Sequence, residues 1–180
     1  MNTKVSYKKI IFIIILIIVC FGCSVRKQQM KQIKRSFNNV SDYKEHVNNA
    51  RLSLLKEIKN FALGSDTIII VERISQLSAY MCGLYASDGG IKDFHFECDN
   101  CSGGYGADVP RTYTLKELKI SNFSIAEMQS IKTDIHSFIN KMNSRSATPG
   151  THVLVTFAIK EEKNYVFQFY YAYTGLKSNF

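Results

Sequence analysis

Residues 151–174 read THVLVTFAIKEEKNYVFQFYYAYT, and this stretch decides the fold class. Val153, Val155, Phe157 and Ile159 fall on one face of a strand. After a polar turn from Glu161 to Asn164, Tyr165, Phe167, Phe169, Tyr171 and Tyr173 fall on one face of a second. A side-chain period of two marks a strand with two unlike faces, and strands joined by so short a turn pair antiparallel. The chain therefore ends in a β-hairpin.

Upstream, the pattern switches to a helical period. Ser124 and Glu127 have capping-box spacing, and Phe123 is placed to staple onto Met128. Ile125, Met128, Ile131, Ile135, Phe138 and Met142 line one face. The helix they predict ends before Pro149-Gly150. Earlier still, Phe94, Phe96 and Cys98 alternate with His95 and Glu97 as in a strand, and Tyr113 with Leu115 begins another that runs towards Ile120. A glycine-rich loop, Ser102 to Asp108, separates the two. Ser87-Asp88-Gly89-Gly90 is a turn, and the β-branched run Thr67 to Val71 suits a buried strand. Ile74, Leu77, Met81 and Leu84 keep helical spacing, so that segment is read as a helix, although Ser75, Ser78, Tyr80 and Cys82 would tolerate a strand.

A further helix is predicted from about Tyr43 to Leu63. Asp42 and Glu45 cap it, Val47, Leu54 and Phe61 recur every seven residues with Ala50 and Ile58 between them, and Gly64 supplies a left-handed stop. Ile33 and Val40 continue the seven-residue spacing upstream, which leaves a longer helix or coiled-coil stalk open. Asn38-Asn39 favours a break. The class is α+β: an antiparallel sheet including a C-terminal β-hairpin, packed with two or three helices.

The 180 residues carry 23 basic and 15 acidic side chains, a net charge of +8. Lys4, Lys8, Lys9, Arg26, Lys27, Lys31, Lys34 and Arg35 all precede the first acid. Removing these eight leaves fifteen basic residues, equal to the fifteen acidic ones, so the body is neutral. The excess lies beside the apolar run from Ile10 to Phe21. That placement fits anionic lipid headgroups, or equally a solvated stalk, better than a nucleic-acid groove, and no nucleic acid is expected.

Lys4, Lys8 and Lys9, the apolar run and then Gly22-Cys23-Ser24 form a signal-peptide pattern, and the run is short for a bilayer-spanning helix. A small residue directly before a cysteine at this point resembles the lipobox of bacterial lipoproteins. Cys20 stands where that family usually carries an aliphatic residue. The resemblance covers only these first residues. It implies cleavage before Cys23, a lipid on Cys23, and, with Ser24 next, an outer-membrane address facing the periplasm. The expected organisation is a signal peptide (1–22), a lipidated basic tether (23–41) and one α+β domain (42–180). An uncleaved anchor is the rival reading, because the basic cluster after the run exceeds the one before it and would hold the body in the cytoplasm.

In the body, Cys82, Cys98 and Cys101 are disulfide candidates in an oxidising compartment. His95, Cys98 and Cys101, with Cys82 as a fourth ligand, form a weaker zinc alternative, since only one Cys-x-x-Cys pair is present. A redox dithiol is disfavoured, because Ser102-Gly103-Gly104 opens no helix to lower a thiol pKa. His46, His136 and His152 fall in no catalytic pattern. No nucleophile elbow or paired carboxylates stand out, and Gly103-Gly104-Tyr105-Gly106 lacks the residues of a phosphate loop. The aromatic stripe from Tyr165 to Tyr173 is expected mainly as core, with Tyr170 on the opposite face beside Val166, Gln168 and Ala172. Tyr105, Tyr170 and Tyr173 are the binding candidates, since a tyrosine offers both a ring and a hydroxyl to a partner.

These features point to a non-enzymatic, envelope-anchored lipoprotein with a protein partner and no cofactor. An immunity protein against a secreted toxin is one case. A structural or assembly lipoprotein, and a thiol or zinc enzyme, are the alternatives.

Overall fold

The computed structural model describes residues 7–38, 45–75, 80–98, 113–144 and 150–174. Among them the order is α1 (Tyr7–Asn38), α2 (Glu45–Phe61), β1 (Thr67–Ser75), β2 (Tyr80–Ala86), β3 (Gly90–Cys98), β4 (Tyr113–Leu118), α3 (Asn122–Thr133), α4 (Ile135–Asn143), β5 (Thr151–Glu161) and β6 (Asn164–Thr174). The strands form one antiparallel sheet in the order β4-β3-β2-β1-β5-β6. The α+β class and the C-terminal hairpin are as expected.

β1 lies at the centre, and its isoleucine run is buried because helices cover both faces of the sheet. Ile68, Ile70 and Ile74 join a core with α1 and α2. Ile69 and Val71 join a second core with Met128, Ile131, Phe138 and Met142 of α3 and α4. The result is three layers, with α1 and α2 on one face and α3 and α4 on the other. Val47, Ala50, Leu54 and Ile58 are the buried stripe of α2. Gly64 follows at φ +106°, the left-handed conformation that a side chain would disfavour. The expected cap at Asp42 lies outside the described residues.

Three expectations are corrected. The helix expected around Ile74 to Leu84 is absent: β1 runs on to Ser75, and residues 80–86 are β2. Met81 is exposed while Leu84 is fully buried, so their helical spacing does not mark one common face. Buried Tyr80, Cys82, Leu84 and Ala86 instead recur at every second residue.

The single helix expected from Ser124 to Met142 is two. Asp134 sits in extended conformation (φ −152°, ψ 93°). Its carboxylate accepts the Ser137 N–H at 3.0 Å, capping α4, while its own N–H donates to Ser130 O at 2.9 Å, closing α3. The N-cap of α3 is Ser121, whose Oγ accepts the Ser124 N–H at 3.1 Å. Glu127 is therefore not a capping-box partner.

The third correction concerns the segment Gln28 to Arg35, which falls in the expected basic tether (23–41). It belongs to α1, which continues from the apolar run to Asn38. Gln29, Ile33, Ser36 and Phe37 are buried against the body. Gln28 and Gln32 both donate to Asn164 Oδ1 at 2.9 Å at the start of β6.

Candidate partner-binding surface

Ile10 to Leu16 of α1 stand away from the body. Ile10 to Leu16 are seven consecutive apolar residues, each 41–65% exposed. Seven residues span nearly two turns, so every side of the helix is apolar, as in a helix bathed in lipid. Nothing lies within 4 Å of where a side chain on Gly22 would begin, and Cys23 is exposed. Arg26, Lys27, Lys31, Lys34 and Arg35 are exposed in the following turns. No helix among the described residues is long and apolar enough to cross a membrane.

Beneath α1 and α2 lies a buried polar network. Arg51 of α2 (3% exposed) grips Glu72 of β1 (0% exposed) through Nε to Oε1 at 2.7 Å and Nη2 to Oε2 at 3.2 Å. Its Nη1 donates to Phe37 O of α1 at 3.2 Å, and Tyr80 of β2 donates its hydroxyl to Glu72 Oε1 at 2.9 Å. The two-point geometry, the Tyr80 donor and the Phe37 carbonyl acceptor compensate the loss of water around both charges. Burial first, and the Glu72 charge second, push the Tyr80 hydroxyl and the Cys82 thiol well above their usual pKa values. A thiol so placed is no nucleophile near neutral pH.

The opposite face is more open. A cavity of about 630 Å³ lies between the sheet and α3, lined by Arg73, Met81, Asp93, Leu118, Glu127 and Met142 among others. Arg73 and Glu127 form an ion pair across it. The lining mixes apolar side chains with charges of both signs and offers no nucleophile–base pair.

The expected site residues do not converge. Cys82 is a free thiol on the α1/α2 face and donates weakly to Gly83 O at 3.6 Å. Its register partner on β3 is Phe94, so Cys98 lies four residues further along, about 13 Å away. That span is too long for a disulfide between them. Cys101 lies outside the described residues, as does Tyr105. Strand alternation puts His95, opposite Met81, on the other face from Cys82, which breaks up the zinc set. Among the described residues no group of three metal-binding side chains occurs.

Tyr170 packs edge-on against Phe157 and His136, with its hydroxyl 3.3 Å from Gln168 Oε1. Tyr173 lies on the other face, its ring 5.0 Å from His152, and His152 Nδ1 is 2.6 Å from the Tyr171 hydroxyl. The aromatic stripe is core only at its start. Tyr165 is buried, whereas Phe169 (42%) and Tyr171 (48%) are exposed on an edge strand.

Sequence reasoning missed the Arg51–Glu72 pair, although it left a signal. Arg51 stands four residues after Val47 and three before Leu54, inside the apolar stripe, and Glu72 alternates with Ile68, Ile70 and Ile74. Two opposite charges, each on an otherwise apolar face, are a pairing that the pattern itself proposes.

No family model matches the chain, and neither a curated protein nor a solved structure matches it.

Proposed function

We propose that this chain is a lipid-anchored binding protein of the bacterial envelope, without catalytic activity, that holds a protein partner close to the membrane. The observation that carries the reading is the exposed apolar half of α1, joined to the body with no intervening coil. Before cleavage, an all-round apolar helix end followed by five exposed basic residues matches a signal segment in the hydrocarbon layer followed by anionic headgroups, and the basic residues stay beside the lipid afterwards. The open surroundings of Gly22-Cys23 leave that bond accessible for cleavage and the cysteine for acylation. From Cys23 to Gln29, the first buried residue, the helix rises only about 9 Å.

Two observations favour this reading over its rivals. Ile33, Val47 and Leu54, the residues that would form a coiled-coil seam, are buried within this chain, which weakens an assembly stalk. His95 and Cys82 on opposite faces weaken a zinc or thiol enzyme. An immunity role remains one case of the binding reading.

The test is intact mass spectrometry of the protein extracted from membranes, before and after reduction, with zinc assayed on the same sample. A triacylated chain beginning at Cys23, without metal, is the expected result, and Cys23→Ala should abolish the added mass and leave unprocessed chain. A protein that retains residues 1–22 overturns the lipoprotein reading, and stoichiometric zinc overturns the binding-only reading.

A further inference from the structure

The two edges of the sheet are built differently. β4 has six residues, with Lys116 and Glu117 among them, and Glu117 pairs with Lys92 of β3 at 2.7 Å. Short length and charge are the usual guards of an edge strand. β6 has eleven residues, NYVFQFYYAYT, with no charged side chain and no proline. Its register with β5 runs unbroken from Asn164 to Thr174, so no bulge bends it away.

Its outer edge is closed at both ends by side chains that imitate a neighbouring strand. Near the start, Gln29 Nε2 donates to Lys163 O at 3.4 Å and Gln32 Oε1 accepts the Tyr165 N–H at 3.0 Å. Near the finish, Asn143 Oδ1 of α4 accepts the Tyr173 N–H at 3.0 Å. Since residues two apart point their amides to the same side, Phe167, Phe169 and Tyr171 also present N–H and C=O outward. Among the described residues nothing pairs with these three. The two capped amides stand eight positions apart, about 27 Å. Exposed Val166 on one face, and Phe169 and Tyr171 on the other, flank the gap.

We infer that this gap is a slot for one extended segment of a protein partner, five to seven uncharged residues with apolar side chains at alternate positions, which adds a seventh strand to the sheet. Main-chain hydrogen bonds at Phe167, Phe169 and Tyr171 hold it, and the flanking side chains select its sequence. A second copy of this chain fits less well. A twofold pairing centred on Phe169 sets Tyr165 against Tyr173 of the other copy, where Gln32 and Asn143 already sit. The inference rests on the binding-protein reading above and names the partner's mode of recognition.

The probe is a phage library of random seven-residue peptides, selected on the full chain in zwitterionic nanodiscs with empty discs subtracted. Enriched peptides should alternate apolar residues. Binding should fall at least tenfold in Phe169→Pro, which removes one outward N–H at an edge position that tolerates proline, and also in Phe169→Lys, which keeps the backbone. N-methylation of the peptide on the alternate residues that face β6 should abolish binding, and on the other set should leave it intact. Peptides with no alternation, indifference to both variants and to methylation, or no enrichment over empty discs would each overturn the slot. So would a sedimentation mass that is dimeric and falls to monomer in Phe169→Pro, which makes a second copy the occupant. Vesicle flotation of the same protein reads the anchoring separately, so loss of flotation with peptide binding intact strikes the anchor reading alone.

Discussion

Glu72 and Arg73 are neighbours on the central strand, and each meets an opposite charge from a helix, yet the two pairs differ in nearly every respect. Glu72 points into the α1/α2 layer, where Arg51 meets it through two nitrogens, with both side chains at or below 3% exposure. Arg73 points to the α3 side and meets Glu127 at the wall of the open cavity, with 22% and 13% of the side chains exposed. The inner pair must replace most of the water it loses with protein contacts, which is why Tyr80 and the Phe37 carbonyl converge on it. The outer pair keeps part of its water. Adjacent residues of one strand thus separate a pair that ties three elements and a helix end together from a pair that decorates a wall.

The comparison can be broken most forcefully at Glu72. Glu72→Gln leaves Arg51 charged and uncompensated in the core, and the expected cost is about 3–5 kcal/mol in a denaturant titration. Replacing both charges, Arg51→Met with Glu72→Leu, should recover most of that loss. A double variant as unstable as the single one would show that the pair contributes more than its mutual compensation.

Tyr80→Phe comes next, at about 1.5–3 kcal/mol for a hydrogen bond to a charged acceptor, and it carries a pH signature. Folded Tyr80 and Cys82 hold their protons above the usual values of 10.0 and 9.0. Well below pH 9 both groups are protonated in the folded and unfolded chains, so they add no slope. As pH rises past 9 to 10 the unfolded chain ionises first, and stability falls. The Phe variant should show a shallower alkaline decline than the natural chain. An equal decline would place the sensitivity elsewhere.

Glu127→Gln is the smallest effect, about 1 kcal/mol or less, because the outer pair retains solvent. A loss as large as that of Glu72→Gln would mean that the two faces are energetically alike.

Most of the fold was legible where one local pattern ruled. The hairpin was legible because Val153, Val155, Phe157 and Ile159 alternate in type with their neighbours and a short polar turn follows, although β5 is buried on both faces, and the α2 stripe repeats because one side of the helix is buried. Legibility failed where two periods fit the same residues. In β2 the apolar residues crowd closely enough to satisfy a helical period as well as a period of two. It failed again at Asp134, because the stripe of Ile131, Ile135 and Phe138 runs through the break, and only the carboxylate's bond to the Ser137 amide reveals it. The candidate surface was less legible still. Gln32 and Asn143 are polar helix residues of no special spacing. Their role at the β6 edge depends on where α1 and α4 dock, which no local pattern records.

The strand order has a consequence for how the chain assembles. β2, β3 and β4 add to β1 through near neighbours in sequence, but Thr67 of β1 faces Ile159 of β5, and Ser75 faces Thr151. Pairings across such spans close late, because chain entropy is lost before their contacts form. The hairpin that completes the sheet is also synthesised after the other four strands. Until it docks, Ile68 to Val71 line an open border, the kind of surface that aggregation exploits. The central strand of the finished protein is the edge strand of the nascent one.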